Sequence, residues 1–131
     1  MSKREVISPE GPMPEGVTLS PAVKKGNMLF IAGTNAAQYD PERGKLWITG
    51  DMKTQCEIIY EKIAKILEAA GSSFDDVVMT TDYITTMEGY ADTAEVRRRY
   101  FKDNFPAATG VVVSYLVQHA LIEIDMIAVL D

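Results

Sequence analysis

The chain contains very little cysteine or histidine, with one of each, Cys56 and His119, among 131 residues. A single cysteine excludes an intrachain disulfide. One cysteine and one histidine are also too few for a catalytic triad or a cysteine-based zinc site within one chain, so we expect no metal site. Cys56 falls on the apolar stripe of a predicted helix, which indicates packing rather than a catalytic thiol.

Long apolar runs are also absent, and acidic residues outnumber basic ones. No stretch is long and apolar enough to cross a bilayer and no signal peptide is visible, so we expect a cytoplasmic protein without membrane contact. The formal net charge of −6 argues against nucleic acid as a major partner. A hydrophobic fraction of 47% is ample for a core, and the length predicts a single domain over residues 1–131.

Apolar periodicity predicts the order of the elements. Four of the six prolines lie in the first 21 residues, which can hold short edge strands but no helix. Strands are predicted at 28–33, 46–48, 77–86, 109–116 and 121–130, and helices at about 51–70 and 90–102. The last two strands are expected to form a core hairpin. The order β-β-β-α-β-α-β-β predicts an α+β fold, a mixed sheet with two helices on one face. The uncovered face predicts a homo-oligomer.

The last predicted strand carries two carboxylates, Glu123 and Asp125. Because side chains alternate along a strand, both should point to the same face. Such a pair can serve as general acid or base, since mutual repulsion raises one pKa towards neutrality. The alternative is a structural pair that bridges to arginine at a subunit interface.

Three other polar residues are candidates for ligand binding. His119 and Tyr115 lie at the connection before the last strand, although a lone loop histidine is often simply exposed. Asn35 follows a buried strand in the stretch 34–37, where backbone amides and the side-chain amide could bind an anion.

Six segments of the chain resemble the RidA/YjgF family. They are Ser20–Asn27, Leu29–Gly33, Asp40–Lys45, Ile66–Val78, Phe105–Thr109 and Leu121–Ala128. The resemblance runs in order from about Val17 to Leu130. It implies a chorismate-mutase-like, YjgF-type domain that assembles as a homotrimer and binds small molecules in clefts between subunits. It also implies hydrolysis of reactive enamines and imines to keto acids and ammonia, without a metal or organic cofactor.

The chain departs from the family pattern at the positions that would bind substrate. Typical deaminases of the family carry arginine in a Pro-Ala-Arg-Thr signature, where the guanidinium holds the substrate carboxylate. Here that position is Ala108, followed by Thr109. The family's pocket tyrosine, serine and helix asparagine correspond to Leu19, Ala32 and Ala94, and its closing glutamate to Asp125. We therefore do not expect a standard 2-iminobutanoate/2-iminopropanoate deaminase.

Two arginines offer a substitute for the missing cation. Arg97 and Arg98 lie three and four residues beyond Ala94, a spacing that predicts the same helix face. The alternative is a surface arginine run paired with Asp or Glu.

Two functions remain open. The first is a deaminase-like hydrolase acting on a non-standard substrate, such as a 2-aminomuconate-like conjugated enamine acid, in an intersubunit cleft. Asp125, with Glu123, would position or deprotonate water, and the residues named above would bind the substrate. The second is a non-catalytic ligand-binding or interaction trimer, which the missing arginine favours.

Overall fold

The structure, a computed structural model, describes residues 3–131. Its strands are β1 (Glu5–Ile7), β2 (Ala22–Lys25), β3 (Met28–Thr34), β4 (Gln38–Asp40), β5 (Lys45–Trp47), β6 (Val77–Ile84), β7 (Ala107–Val112) and β8 (Ile122–Val129), and its helices are α1 (Met52–Ala69) and α2 (Thr93–Phe101). Six strands form one sheet in the order β1-β2-β3-β8-β6-β7, and β4 and β5 form a separate hairpin. In the main sheet β6 and β7 run parallel and the other neighbours antiparallel. The predicted α+β fold with a mixed sheet is confirmed.

Helix α1 supplies much of the core because its apolar residues recur every three or four positions. Its buried apolar side chains are Met52, Cys56, Ile59, Tyr60, Ile63, Ile66 and Leu67. The Asp51 side chain caps the amino end by accepting a hydrogen bond from the Thr54 amide at 2.9 Å. Gly71, with a φ of +75°, follows the carboxy end in the left-handed conformation that glycine favours.

The central strand β8 shows how the sheet separates its two faces. Ile122, Ile124 and Met126 are fully buried against the helices, whereas Glu123 and Asp125 between them are half-buried on the opposite face. This opposite face is called the open face below. The predicted alternation in this strand is confirmed.

The open face also carries exposed apolar side chains at its other end. Phe30 pairs with Ile127, and Val6 pairs with Val23, all in register on this face. Phe30 is 43% exposed and Val6 is 52% exposed. The uncovered sheet face expected from the sequence is therefore present in the single chain.

The predicted terminal hairpin is wrong. β8 lies between β3 and β6, and β7 pairs with β6 at the edge of the sheet. The reason lies in composition: β8 alternates large apolar residues and is protected on both sides, whereas β7 reads Ala-Ala-Thr-Gly-Val-Val and all six of its residues are exposed. Only half of the carboxy-terminal segment therefore belongs to the core.

Several element boundaries also differ from the prediction. Among residues 3–131, five strands precede α1 rather than three. β1 lies within the proline-rich start and β2 directly follows it, and β4 and β5 form a separate hairpin. Residues Tyr90–Asp92 form a 3₁₀ turn, and α2 begins at Thr93. The buried residues of α2 are Thr93, Val96 and Phe101. Among residues 3–131, none of the helices is both long and apolar enough to cross a membrane.

Candidate functional site

The two predicted carboxylates lie side by side on the open face, next to Tyr83. The Tyr83 hydroxyl of β6 donates a hydrogen bond to Asp125 Oδ2 at 2.9 Å. Strand register places Thr81 opposite Asp125 and Tyr83 opposite Glu123, so all four side chains share the face. Burial, and then the charge of Asp125, raises the pKa of Glu123. Asp125 is thus a hydrogen-bonded carboxylate, and Glu123 beside it has a raised pKa and so binds its proton more tightly than a free glutamate.

Gly33 of β3 makes room for this arrangement. A β-carbon at this position would overlap Glu123 Oε2, whereas glycine lets the carboxylate lie against the strand. Sequence reasoning did not single out Tyr83 or Gly33. The signal for Tyr83 was available, since it lies at period two from Thr81 on a predicted strand, but its pairing with β8 was unknown.

Asn35 is held by contacts within the chain. Its side-chain nitrogen donates to Gln118 Oε1 at 3.3 Å, and its Oδ1 accepts from the Ala37 amide at 3.0 Å. Its carbonyl accepts from Lys62 Nζ at 2.8 Å, and burial lowers the pKa of this lysine. The side chain of Asn35 therefore ties the 34–37 loop to the connection before β8, and its role in binding an anion stays a prediction.

His119 lies in a groove at the same end of the molecule. The groove has a volume of about 490 Å³, and its lining includes Lys45, Trp47, Gln55, Gln118, His119 and Leu121. The exposed ring of Tyr115 packs edge-to-face on His119, with ring centroids 5.4 Å apart. Gln118 and His119 both have φ near +58°, which is uncommon for non-glycine residues. The structure thus brings three predicted residues, Asn35, Tyr115 and His119, to one end of the sheet.

Gln55, which the sequence did not indicate as a functional residue, stabilises one wall of the groove. Gln55 is buried in α1, where its side-chain nitrogen donates to the Gly50 carbonyl at 2.9 Å. Its side-chain oxygen accepts from the Leu121 amide at 3.0 Å. Gln55 therefore fixes the start of β8 relative to the β5–α1 connection.

Ala108 and Thr109 lie on opposite faces of the edge strand β7. Thr109 pairs with Thr81 and points to the open face, where Asp125 lies one strand further. Ala108 pairs with Thr80, so it points to the side of the helices. Within one chain, the position where the family carries arginine is thus separated by the sheet from the carboxylate pair.

Arg97 and Arg98 do not share surroundings. Arg97 Nη1 donates to Thr93 Oγ1 at 2.7 Å and lies 3.5 Å from Oδ2 of buried Asp82 on β6. Arg98 is exposed. The expectation of one common face fails because consecutive helical residues are 100° apart and Arg97 alone turns towards the sheet. Arg97 and Arg99 both lie near acidic residues, Arg97 near Asp82 and Arg99 3.2 Å from Glu57. A role for Arg97 in binding the ligand stays a prediction.

The cysteine belongs to the core. Cys56 is fully buried, and burial raises the pKa of its thiol to about 12. Among residues 3–131 no cluster of three or more His, Cys, Asp or Glu side chains is arranged to hold a metal ion. Packing is the role that the structure gives Cys56.

Comparison with known proteins shows the family of this chain. The family model described as Endoribonuclease L-PSP matches residues 13–130. The chain belongs to this family. A RutC family protein of Pyrococcus horikoshii is 41% identical over 126 residues, which cover 96% of this chain and 97% of that protein. The RidA/YjgF resemblance is confirmed.

Solved structures of the family share the fold. A putative endoribonuclease of Thermotoga maritima is 38% identical with a TM-score of 0.83, and the match covers 99% of both chains. The Rid family protein YyfA of Yersinia pestis is 30% identical with a TM-score of 0.83, over 98% of this chain and all of that one. A human relative named 2-iminobutanoate/2-iminopropanoate deaminase is 31% identical over 110 residues, 84% of this chain and 78% of that protein. The family thus includes proteins named as deaminases.

Proposed function

We propose that this family member is a cytoplasmic deaminase that hydrolyses a conjugated enamine or imine acid, such as a 2-aminomuconate-like compound, to the keto compound and ammonia. The observation that carries the proposal is the Asp125–Glu123 pair on the open face, with Tyr83 donating to Asp125. An enamine first takes a proton on its β-carbon and becomes the imine. Asp125 accepts a proton from water as the water oxygen bonds to the imine carbon, and Glu123, whose pKa burial raises, gives its proton to the imine nitrogen. Asp125 then gives its proton to the same nitrogen, the C–N bond breaks and ammonia leaves, and the hydroxyl proton returns to Glu123 as the carbonyl forms.

The proposed site lies between subunits of a homotrimer. The apolar end of the open face exposes Val6, Phe30 and Met79, which a neighbouring subunit would cover. The polar end of the same face carries the carboxylates, so an assembly that covers one end encloses the other. His119, Tyr115, Thr109 and Asn35 line the rim on which substrate enters.

The substrate is proposed to differ from the small 2-imino acids. Ala108 provides no charge on β7, where typical deaminases of the family carry the arginine that holds the substrate carboxylate. A bidentate arginine contact contributes roughly 1.5–3 kcal/mol, so its loss weakens binding of a small acid by about 10- to 150-fold. A larger conjugated acid has further surface through which to bind.

A second function is favoured by the same alanine. A trimer that binds a small molecule without turning it over also fits a cleft that has lost its anion clamp. The carboxylate pair favours the first function, because binding alone does not require a half-buried Glu123 with a raised pKa beside Asp125.

Ammonia release from purified protein tests the proposal. We expect release above the protein-free rate from 2-aminomuconate, and little release from enzymatically generated 2-iminopropanoate. Release from neither substrate, together with saturable binding of a conjugated acid, would favour the binding protein. Fast turnover of 2-iminopropanoate would contradict the substrate class. Sedimentation at three times the subunit mass tests the trimer, and a monomer would refute it.

A further inference from the structure

A second cluster of polar side chains lies on the helix side of the sheet, beneath the edge strand. Asp82 of β6 accepts a hydrogen bond from the Tyr90 hydroxyl at 2.6 Å through Oδ2. The same oxygen lies 3.5 Å from Arg97 Nη1, which also donates to Thr93 at 2.7 Å. The Arg97 guanidinium lies over the Tyr90 ring, 5.5 Å from its centroid. The 3₁₀ turn, through Tyr90, and α2, through Arg97, thus both contact the buried carboxylate of β6.

Burying the charged Asp82 at a core position costs free energy. Asp82 is 4% exposed, and its Oδ1 is buried with no hydrogen-bond partner among the described residues. A well-packed apolar side chain here would avoid the cost of removing both charges from water. The neighbour Ile84, which points to the same side, shows that the sheet accepts such residues. Packing alone therefore does not explain the aspartate.

The cluster lies next to residues 108–110 of the edge strand β7, whose side chains on the helix side are small. Asp82 pairs with Gly110, and Ala108 lies two residues earlier on the same side of β7. A β-carbon on Gly110 would come within 3.0 Å of the Tyr90 hydroxyl. Neither Ala108 nor Gly110 has a side chain larger than a methyl group, and the Tyr90 hydroxyl lies against Gly110. The Arg97 side chain is 23% exposed, so solvent reaches part of it.

We propose that Arg97 is the anion anchor of this chain, binding the ligand carboxylate from the helix side of β7, and that Asp82 and Tyr90 position its guanidinium. The proposal rests on the proposed function for the ligand class and for the homotrimer. Because the sheet separates Arg97 from the carboxylates of its own chain, a ligand bound at Arg97 would reach the carboxylate pair of a neighbouring subunit. It assigns a role to the buried aspartate. Both polar contacts of the guanidinium with the described residues run through Nη1, which leaves Nε and Nη2 as donors for a planar carboxylate.

Binding at Arg97 should be coupled to a proton on Asp82. Burial raises the pKa of Asp82, while the Tyr90 hydrogen bond and the Arg97 charge oppose that rise. A ligand carboxylate at Arg97 adds a second negative charge and so raises the pKa of Asp82 further. The bound state therefore holds more protons than the free state, and affinity should increase as the pH falls towards the pKa of Asp82.

The other ionisable groups around Asp82 do not provide this proton. From α1, Cys56 and Tyr60 face it, and burial raises the pKa of Cys56 to about 12 and that of Tyr60 still higher. Tyr90 is held by Asp82 itself, and burial raises its pKa to about 12. Asp125 acts on Asp82 from β8 and belongs to the carboxylate pair of the open face. It can be tested separately by substitution.

Calorimetric titration with 2-oxobutanoate, and with neutral butanamide as the uncharged probe, tests the anchor. We expect R97M to weaken 2-oxobutanoate binding about tenfold or more, and R97K to weaken it by less while preserving the fold. R99M is the matched control, because Arg99 lies two residues along the same helix and pairs only with surface glutamates among the described residues. Equal affinity in wild type and R97M, or equal losses in R97M and R99M, would overturn the proposal.

Repeating the titration in buffers of different ionisation enthalpy counts the protons taken up. We expect uptake in wild type and none in D82N. Unchanged uptake in D82N would refute the role of Asp82. Neither titration depends on turnover, so they can succeed when ammonia release fails and fail when it succeeds. A wild-type protein that binds 2-oxobutanoate no better than butanamide would overturn the anchor alone.

Discussion

The two faces of the sheet each hold an aspartate that accepts a tyrosine hydroxyl, and the two pairs differ in burial. On the open face Tyr83 donates to half-buried Asp125 at 2.9 Å. On the helix side Tyr90 donates to Asp82 at 2.6 Å, and Asp82 is 4% exposed and also lies against Arg97. The same chemical pair can meet water and substrate in the first case but can act only through a neighbour in the second. We therefore assign chemistry to the open face and anion binding to the helix side, so a substrate that uses both would lie between two subunits of the proposed homotrimer.

The largest expected effect is on turnover in D125N. This change keeps the shape of the side chain and the hydrogen bond with Tyr83 but removes the proton acceptor. We expect kcat to fall by about 10²–10⁴, as for loss of a general base, while KM changes little. R97M should show the opposite pattern, a raised KM with a smaller change in kcat. If D125N raised KM and left kcat unaltered, the division of roles between the faces would be wrong.

The next largest effect is expected from A108R, which adds a guanidinium to the exposed edge strand. Because a bidentate contact with a carboxylate contributes roughly 1.5–3 kcal/mol, we expect kcat/KM for 2-iminopropanoate to rise about tenfold or more. A108M is the control, since it adds length without charge. A rise of the same size in A108M would show that the added volume, rather than the charge, causes the gain.

A smaller effect is expected from G33A. The added β-carbon overlaps the end of the Glu123 side chain, which can move aside, so the free energy of unfolding should change by less than about 1 kcal/mol. The displaced carboxylate should lower kcat by up to about tenfold. G44A is the control for a loss of stability without displacement of Glu123. Because φ at Gly44 is +65°, alanine strains the backbone there, and its β-carbon would meet no neighbour within 4 Å, so kcat should not change. Equal kcat in G33A and wild type would contradict a role for Glu123 in the reaction.

The smallest effect is on the pH dependence of stability in E123Q. Because burial and Asp125 raise the pKa of Glu123, the folded chain binds this proton more tightly than the unfolded chain. Stability contributed by this group is full below its unfolded pKa and decreases as the pH rises through its folded pKa. We expect E123Q to lose that decrease in urea unfolding measured from pH 4 to 7. An unchanged slope would show that Glu123 titrates normally.

Sequence reasoning predicted the helices and the face of the carboxylates well because both depend on local periodicity. The stripe of α1 and the alternation of β8 can be read directly from neighbouring residues. The edge position of β7 could not be read in this way, because strand order depends on which strands bury the most apolar surface on both sides. The prediction of a hairpin between the last two strands was wrong for that reason.

The candidate site was predicted in part. Asp125, Glu123 and Arg97 were identified as polar residues on predicted elements, but their partners Tyr83 and Asp82 lie on β6, whose pairing the sequence does not specify. Asp82 in particular looks like an ordinary strand residue until α2 and the 3₁₀ turn place Arg97 and Tyr90 against it. Contacts between distant segments were the missing information.

Ammonia release from 2-aminomuconate, measured side by side for wild type and D125N of equal assembly mass, tests the central claim most directly. We predict release by wild type that saturates with substrate, and release by D125N lower by about two orders of magnitude or more. Equal rates in the two proteins, or a wild-type rate no greater than that without protein, would contradict the assignment of the open-face carboxylates as the catalytic centre.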